Sequence, residues 1–387
     1  MVFVHFSNLV QNFYNKMTLT YIANARIPTE KAHGIQIMQM CRTFANSKFD
    51  VELVIPKRFN YIKTDPFQYY GIKRSFEIKK LPCLDLIVLD KYIGHLGLWV
   101  ESFTYFIFLF FYLLFKNPSL IYTRNVLLLP LTFLKKNVFF EAHTFPRNYS
   151  LYSPFFKRLK GIVVITQKLK DLFVQKGISP DKILVASDGV DLEKFNIKET
   201  KEECRKKLNL PLDKKIVLYT GHLYQWKGVQ TLVAASEYLP ANVEVYFVGG
   251  TTKDIRDFRL QTLNLKLKIV GHKPYSEIPC WLRASDVLVL PNSAKEEISK
   301  SWTSPLKLFE YMAAKKPIIS SDLPSLREVL NKGNAILVKP DSPEELAEGI
   351  KKALENPGLA NKISEQAFLD VKQYTWDNRV KKISMLF

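Results

Sequence analysis

The sequence predicts an α/β protein made of two doubly wound, parallel-sheet domains. Three observations carry that prediction. Short apolar, β-branched runs alternate with helical stretches through both halves, the pattern of parallel strands joined by crossover helices. The chain has 387 residues, of which 47% are hydrophobic, enough for two domains each with a core. Between the two alternating runs, Leu192–Cys204 is charged and lacks a buried pattern, which puts a boundary near 190–205. The expected division is an extension over 1–16, a first domain over 17–190 and a second over 191–373.

The first sixteen residues include Phe3, Phe6, Phe13 and Tyr14 but no early cationic region and no small-residue cleavage site, so a signal peptide is not expected. Met17 reads as the natural start of the first strand, Leu19–Ala23. The loop Asn24–Gly34 follows, and Ile37, Met40, Cys41, Phe44 and Ala45 then trace one helical face before strand Val51–Ile55. Gly34 ends the loop at a helix start, a geometry that receives phosphate. The loop is not GxGxxG, so a nicotinamide cofactor gets no support. Arg26, Lys31 and His33 suit an anionic acceptor equally as well as a plain solvated loop. Residues 56–95 read as irregular, with basic and aromatic side chains interleaved from Lys57 to Arg74.

Phe103–Phe115 is uncharged over 13 residues. A spanning helix needs about 20, so a buried or interfacial helix is expected, a core helix first because the run is apolar all round; with the basic surplus, it also suits peripheral contact with a membrane. Strands are expected at Leu120–Tyr122, Val138–Glu141, Ile162–Ile165 and Ile183–Ala186, with a helix Lys168–Gln175 closed by Gly177. Ligands in such sheets bind beyond the carboxyl ends of strands. His143 and the turn Ser187–Asp191 fall at such ends, although a lone His after a strand is more often structural.

In the second half, strand Ile216–Thr220 runs into Gly221–Val229, a turn holding His222 and Lys227. Val243–Val248 ends at Gly249-Gly250, and Leu267–Val270 ends at Gly271-His272-Lys273. Ile278–Ala284, Val287–Leu290, Ala335–Val338 and helix Pro343–Glu355 complete the sheet. The densest signal is Trp302–Val329. Its polar loop Thr303-Ser304-Pro305 opens a helix Leu306–Ala314 with Leu306, Phe309 and Ala313 as the inward stripe. Lys307 and Glu310 share the opposite face three residues apart, which by spacing alone reads as a salt bridge on a solvated face. Lys315-Lys316 and Pro317 end the helix, and strand Ile318–Ser320 follows. The uncapped amides suit an anion and the carboxylate suits sugar hydroxyls.

This stretch resembles the C-terminal signature of the GT-B glycosyltransferases of family 4, the glycosyl transferases group 1. The resemblance covers about residues 17–387 and is densest after 214. It implies two Rossmann-like domains facing an interdomain cleft. It also implies a nucleotide-sugar donor as substrate, with no cofactor beyond it, and a terminal helix 374–387 that packs back on the first domain. By that resemblance Glu310 contacts the donor ribose, and Ser304, Pro305, Leu306 and Lys307 frame the diphosphate. Lys227 matches a diphosphate-neutralising Lys, His272 and Lys273 lie where the nucleobase is read, Gly34 lies near the donor–acceptor junction, and His143 lies near the reacting sugar. Two positions depart from the family pattern. Trp302 stands where a second Glu often touches the donor sugar, and His222 stands where an Arg is usual.

Lys plus Arg exceed Asp plus Glu by 19. That balance calls for an anionic partner: a nucleotide donor, a phosphorylated or lipid-linked glycan acceptor, or the inner face of an anionic membrane. It gives little support to nucleic acid, because no RNP or helix-turn-helix pattern accompanies it. Cys41, Cys83, Cys204 and Cys280 form no CxxC pair, which excludes a zinc signature and fits a reducing, cytoplasmic setting. No Asp-x-Asp occurs, so a metal-held diphosphate is unsupported. The reading is a retaining, metal-independent hexosyltransferase. The alternatives are an epimerase or phosphorylase of the same fold and a non-catalytic nucleotide- or glycan-binding relative.

Overall fold

The computed structural model describes residues 17–261 and 267–387; the expected extension over 1–16 lies outside the described residues. The chain divides into two compact units. Among the described residues, one takes in 17–164, Leu172–Leu184 and Val380–Phe387; the other holds Ile165–Asp171 and Val185–Arg379.

The first unit is built on a seven-stranded sheet in the order β3-β2-β1-β4-β5-β6-β7. Its strands are β1 Met17–Ile22, β2 Phe49–Pro56, β3 Glu77–Leu81, β4 Leu120–Thr123, β5 Val138–Ala142, β6 Gly161–Val164 and β7 Ile183–Val185. The second unit carries six strands in the order β10-β9-β8-β11-β12-β13. These are β8 Lys215–Thr220, β9 Val243–Val248, β10 Leu267–Gly271, β11 Val287–Leu290, β12 Ile318–Ser321 and β13 Ile336–Val338. The pairings run parallel, in register Tyr21↔Leu53 and Tyr21↔Tyr122 around β1, and Leu218↔Tyr246 and Leu218↔Leu288 around β8. Strands covered on both faces read as continuous apolar runs, and β4, β5 and β11 are buried at every residue.

Strand order reverses at β1 in one unit and at β8 in the other, which opens a crevice beyond their carboxyl ends. In the second unit that crevice receives the turn after β8. The turn lies hard against the chain leaving β11: a Cβ on Gly228 would meet the Pro291 carbonyl oxygen at 1.7 Å, and its φ is +69°. Only glycine fits there.

Two expectations are corrected, and one stretch gains detail. The helix around Phe103–Phe115 is Leu96–Phe115, 20 residues long, and most of its apolar side chains are exposed, so it is not a core helix. The expected irregular stretch contains β3, whose sequence EIKKL carries three charges and lies at a sheet edge. The charged linker holds two short helices, Leu192–Phe195 and Lys201–Lys207. The second opens on a capping box in which Thr200 Oγ1 accepts from Glu203 N at 3.2 Å and Glu203 accepts from Thr200 N at 2.8 Å.

The helix Trp376–Ser384 starts in the second unit and ends in the first. Beyond it, the Phe387 ring packs 4.5 Å from Phe139 and 5.9 Å from Phe44, between centroids, inside the first unit.

Candidate functional site

Helix Leu306–Ala313 is the centre of the site in the second unit. The alternative of a salt bridge on a solvated face is overturned: only 7% of Lys307 and 6% of Glu310 is exposed. Both faces of the helix are covered, because it packs within the core beside Leu218, Leu290 and Leu326. Charges are rarely buried without a partner, so these two require an explanation.

The Tyr275 hydroxyl donates to Glu310 Oε1 at 2.9 Å, and the Lys194 ammonium lies 4.1 Å from the Tyr275 ring centroid. Burial pushes the Glu310 pKa up to about 7, against the Tyr275 hydrogen bond and the charges of Lys194 and Lys307. Lys307 Nζ has no hydrogen-bond partner and lies 3.5 Å from the centroid of the Tyr219 ring. Burial first, and then Lys227 beside it, hold its pKa well below the usual lysine range; Glu310 acts in the opposite sense. Burial also lowers Lys227, to about 8, while Asp254 opposes the shift.

These lysines converge. A Cβ built on Gly221 would lie 3.9 Å from Lys227 Nζ and 4.0 Å from Lys307 Cδ. Two ammonium groups beside bare backbone repel one another unless an anion joins them. At the same turn His222 Nδ1 pairs with Asp254 Oδ2 at 3.0 Å, and the His222 ring stacks on Tyr224 at 5.0 Å and 4°. Burial alone would raise the Asp254 carboxyl. Hydrogen bonds from His222 and from Thr251 N (3.0 Å) outweigh it and hold the pKa below its ordinary value.

The loop before the helix is also in place. Ser304 is buried, and its Oγ accepts from Asp188 N at 3.2 Å. Pro305 is the N-cap and supplies no side-chain cap, so no side chain of the cap satisfies the amides at Leu306 and Lys307. His272 is exposed after β10, while Lys273 lines an open hollow with Tyr246 and Trp281.

In the first unit, His143 follows β5. Its Nε2 lies 2.6 Å from Oε1 of Glu141, a carboxylate with no exposure, which also accepts from Gln36 Nε2 and from the Tyr122 hydroxyl, each at 2.6 Å. Gly34 lies inside the first turn of helix Ala32–Asn46, and a Cβ there would come 2.1 Å from the Tyr70 hydroxyl. The demand for glycine at that position therefore comes from Tyr70. Arg26 lies over the Tyr61 ring at 4.6 Å and pairs with Glu30 at 3.7 Å. Lys31 is exposed at the N-cap of that helix, and His33 is half-buried.

The sequence reading missed Tyr275, Asp254 and Tyr219, each brought to its partner by tertiary packing. Glu141 was within reach: it is a carboxylate near the end of β5, two residues before His143, close enough to reach the imidazole.

The family model for glycosyl transferases group 1 matches residues 200–370. Among curated proteins, the Bacillus subtilis protein named putative teichuronic acid biosynthesis glycosyltransferase TuaC is 34% identical over 202 residues, 50% of this chain and 48% of its own. The chain thus spans about half the length of the curated relatives it matches. Among solved structures, sucrose-phosphate synthase of Thermosynechococcus elongatus superposes with a TM-score of 0.76 at 19% identity, over 96% of this chain and 98% of that one. Anabaena HepE, solved in complex with UDP, superposes with a TM-score of 0.74 at 15% identity, over 95% and 99%. Residues 200–370 match the model of the glycosyl transferases group 1, and the chain's two parallel-sheet units have the GT-B fold.

Proposed function

We propose that this chain transfers a sugar from a nucleotide-sugar to an acceptor, and that the second unit holds the donor. The observation that carries the reading is the buried ammonium of Lys307, which has no hydrogen-bond partner, beside Lys227 and next to an uncapped helix start and a buried carboxylate. A diphosphate completes that set: its oxygens take the two ammonium groups and the amides of Leu306 and Lys307, while ribose hydroxyls donate to Glu310.

The chemistry follows from those groups. The sugar C1–O bond to phosphate breaks, the electron pair leaves with the nucleoside diphosphate, and the fixed cations and amides stabilise its charge without a metal. The acceptor hydroxyl attacks from the leaving-group face and configuration is retained, with its proton passing to the departing phosphate oxygen. His143, held by Glu141, serves on the acceptor side together with Arg26, Lys31 and His33. The acceptor is a lipid-linked or cell-surface glycan, a class that suits the basic surplus and peripheral contact with an anionic membrane. Nucleic acid is not a partner in this reading.

Thermal stabilisation by UDP and by a panel of nucleotide-sugars tests the donor site. Stabilisation in the wild type, lost in Lys307→Met, is expected; no stabilisation by any member overturns it. A second reading, a relative that binds donor without turning it over, rests on Trp302 and His222 at positions where the family pattern has Glu and Arg. Release of nucleoside diphosphate from a stabilising nucleotide-sugar separates the two.

A further inference from the structure

We infer that helix Leu96–Phe115 is a bilayer-docking element that lies flat in the lipid headgroup layer and does not span. At 1.5 Å per residue its 20 residues extend about 30 Å, and by length and composition it passes for a membrane span. Its attachments rule that orientation out. Its single charged residue, Glu101, is fully buried and accepts from Arg58 Nε at 2.8 Å and from Asn24 Nδ2 at 3.1 Å. On the same side the fully buried Tyr105 donates to the Val54 carbonyl at 3.0 Å, and Tyr112 donates to Glu52 at 2.7 Å. Withdrawing the helix into hydrocarbon would strip a carboxylate of its guanidinium.

The opposite side is bare. Trp99, Phe103, Ile107, Phe110, Phe111 and Leu114 follow helical spacing and form one stripe, each between 37% and 66% exposed. The stripe offers on the order of 600 Å² of apolar surface, at or above the largest patch of an ordinary monomer. It carries no charge. The elements packed against the helix do: β3 presents exposed Lys79 and Lys80, and the turn after Val126–Phe133 presents exposed Lys136.

Charge selects the occupant. A second copy would bring the same lysine rim, on a chain of net charge +19, against itself. An anionic bilayer complements both parts, with headgroups meeting the lysines and acyl chains meeting the aromatic stripe. This deepens the reading of a lipid-linked acceptor and rests on it only for the acceptor's place at a membrane; docking itself needs no acceptor.

The test is flotation of the full chain with phosphatidylcholine vesicles, alone or mixed with phosphatidylglycerol. Flotation is expected with the mixture. At about 1 M salt, where charges are screened beyond ~3 Å, it should fall but persist through the apolar stripe. Phe103→Glu/Phe111→Glu should lower flotation more than about tenfold, because two aromatic side chains no longer enter lipid. Its melting temperature and UDP affinity should be unchanged, since both side chains are exposed and belong to the first unit. Trp99 is the one tryptophan among the described residues classed as exposed, and quenching by brominated lipid should vanish in Trp99→Phe. Alkaline carbonate should release the bound protein. Absent flotation, flotation unaffected by the double substitution, resistance to carbonate, or a concentration-dependent dimer abolished by the substitution would each overturn the inference. UDP binding without flotation sinks docking alone, whereas flotation without nucleotide binding sinks the donor-site reading alone.

Discussion

Replacing Lys227 by Met should stabilise the free protein and weaken its hold on UDP. The two effects have one origin. Burial lowers the Lys227 pKa from 10.5 to about 8. At about 1.4 kcal/mol per tenfold change in proton affinity, keeping it charged costs the free fold up to about 3 kcal/mol. The sign runs against the usual paired lysine. Below pH about 8 both folded and unfolded chains are charged and the whole penalty applies. It fades as pH rises from about 8 to 10.5 and is gone above that. Met has nearly the same shape and no charge, so Lys227→Met removes the penalty at neutral pH. A gain of 1 kcal/mol raises the midpoint of a domain of this size by about 2–4 °C. A rise of several degrees is therefore expected without ligand. The same substitution removes a charge-assisted contact to diphosphate worth about 1.5–3 kcal/mol, a loss of about 10- to 100-fold in UDP affinity. Melting curves with and without UDP, beside calorimetric titration at pH 7, measure both. A variant that melts lower than wild type and binds UDP equally well would refute the reasoning at both ends.

Glu310→Gln keeps an acceptor for the Tyr275 hydroxyl, so its melting temperature should hold while UDP affinity falls about 10- to 100-fold. Wild-type binding should strengthen as pH rises through about 7, where Glu310 ionises; a Gln variant with the same rise would remove Glu310 from the ribose. Asp254→Asn should weaken UDP binding, because the carboxylate that holds His222 Nδ1 at 3.0 Å is lost. Unchanged affinity would show that Asp254 only shapes the turn. Exhaustive chelation should leave sugar transfer intact; loss restored by manganese would show that a metal carries the leaving group.

Much of the fold was legible because parallel strands buried on both faces appear as plain apolar runs, as VLVL at β11 and VFFEA at β5 do. β3 escaped because an edge strand tolerates charge, and EIKKL resembles a loop. In the donor site the residue identities were readable and their burial was not. Lys307 and Glu310 look like a surface pair three residues apart, and nothing local announces that Tyr219 and Tyr275 close over them. Such conflicts between local rule and structure gather at functional sites. The long apolar helix misled for a related reason. Its length was hidden by Glu101, whose guanidinium partner Arg58 lies 43 residues earlier in the chain.

The helix that starts in one unit and ends in the other has a consequence for synthesis. Residues 380–387 leave the ribosome after all of the second unit, yet Ile383 is buried in the first unit and Phe387 packs against Phe139 and Phe44. The first unit therefore emerges early and waits, its hydrophobic floor open, until residues 380–387 arrive. A nascent chain stalled before residue 380 would display Phe44, Phe49 and Phe139 without their covering ring, a natural target for chaperones.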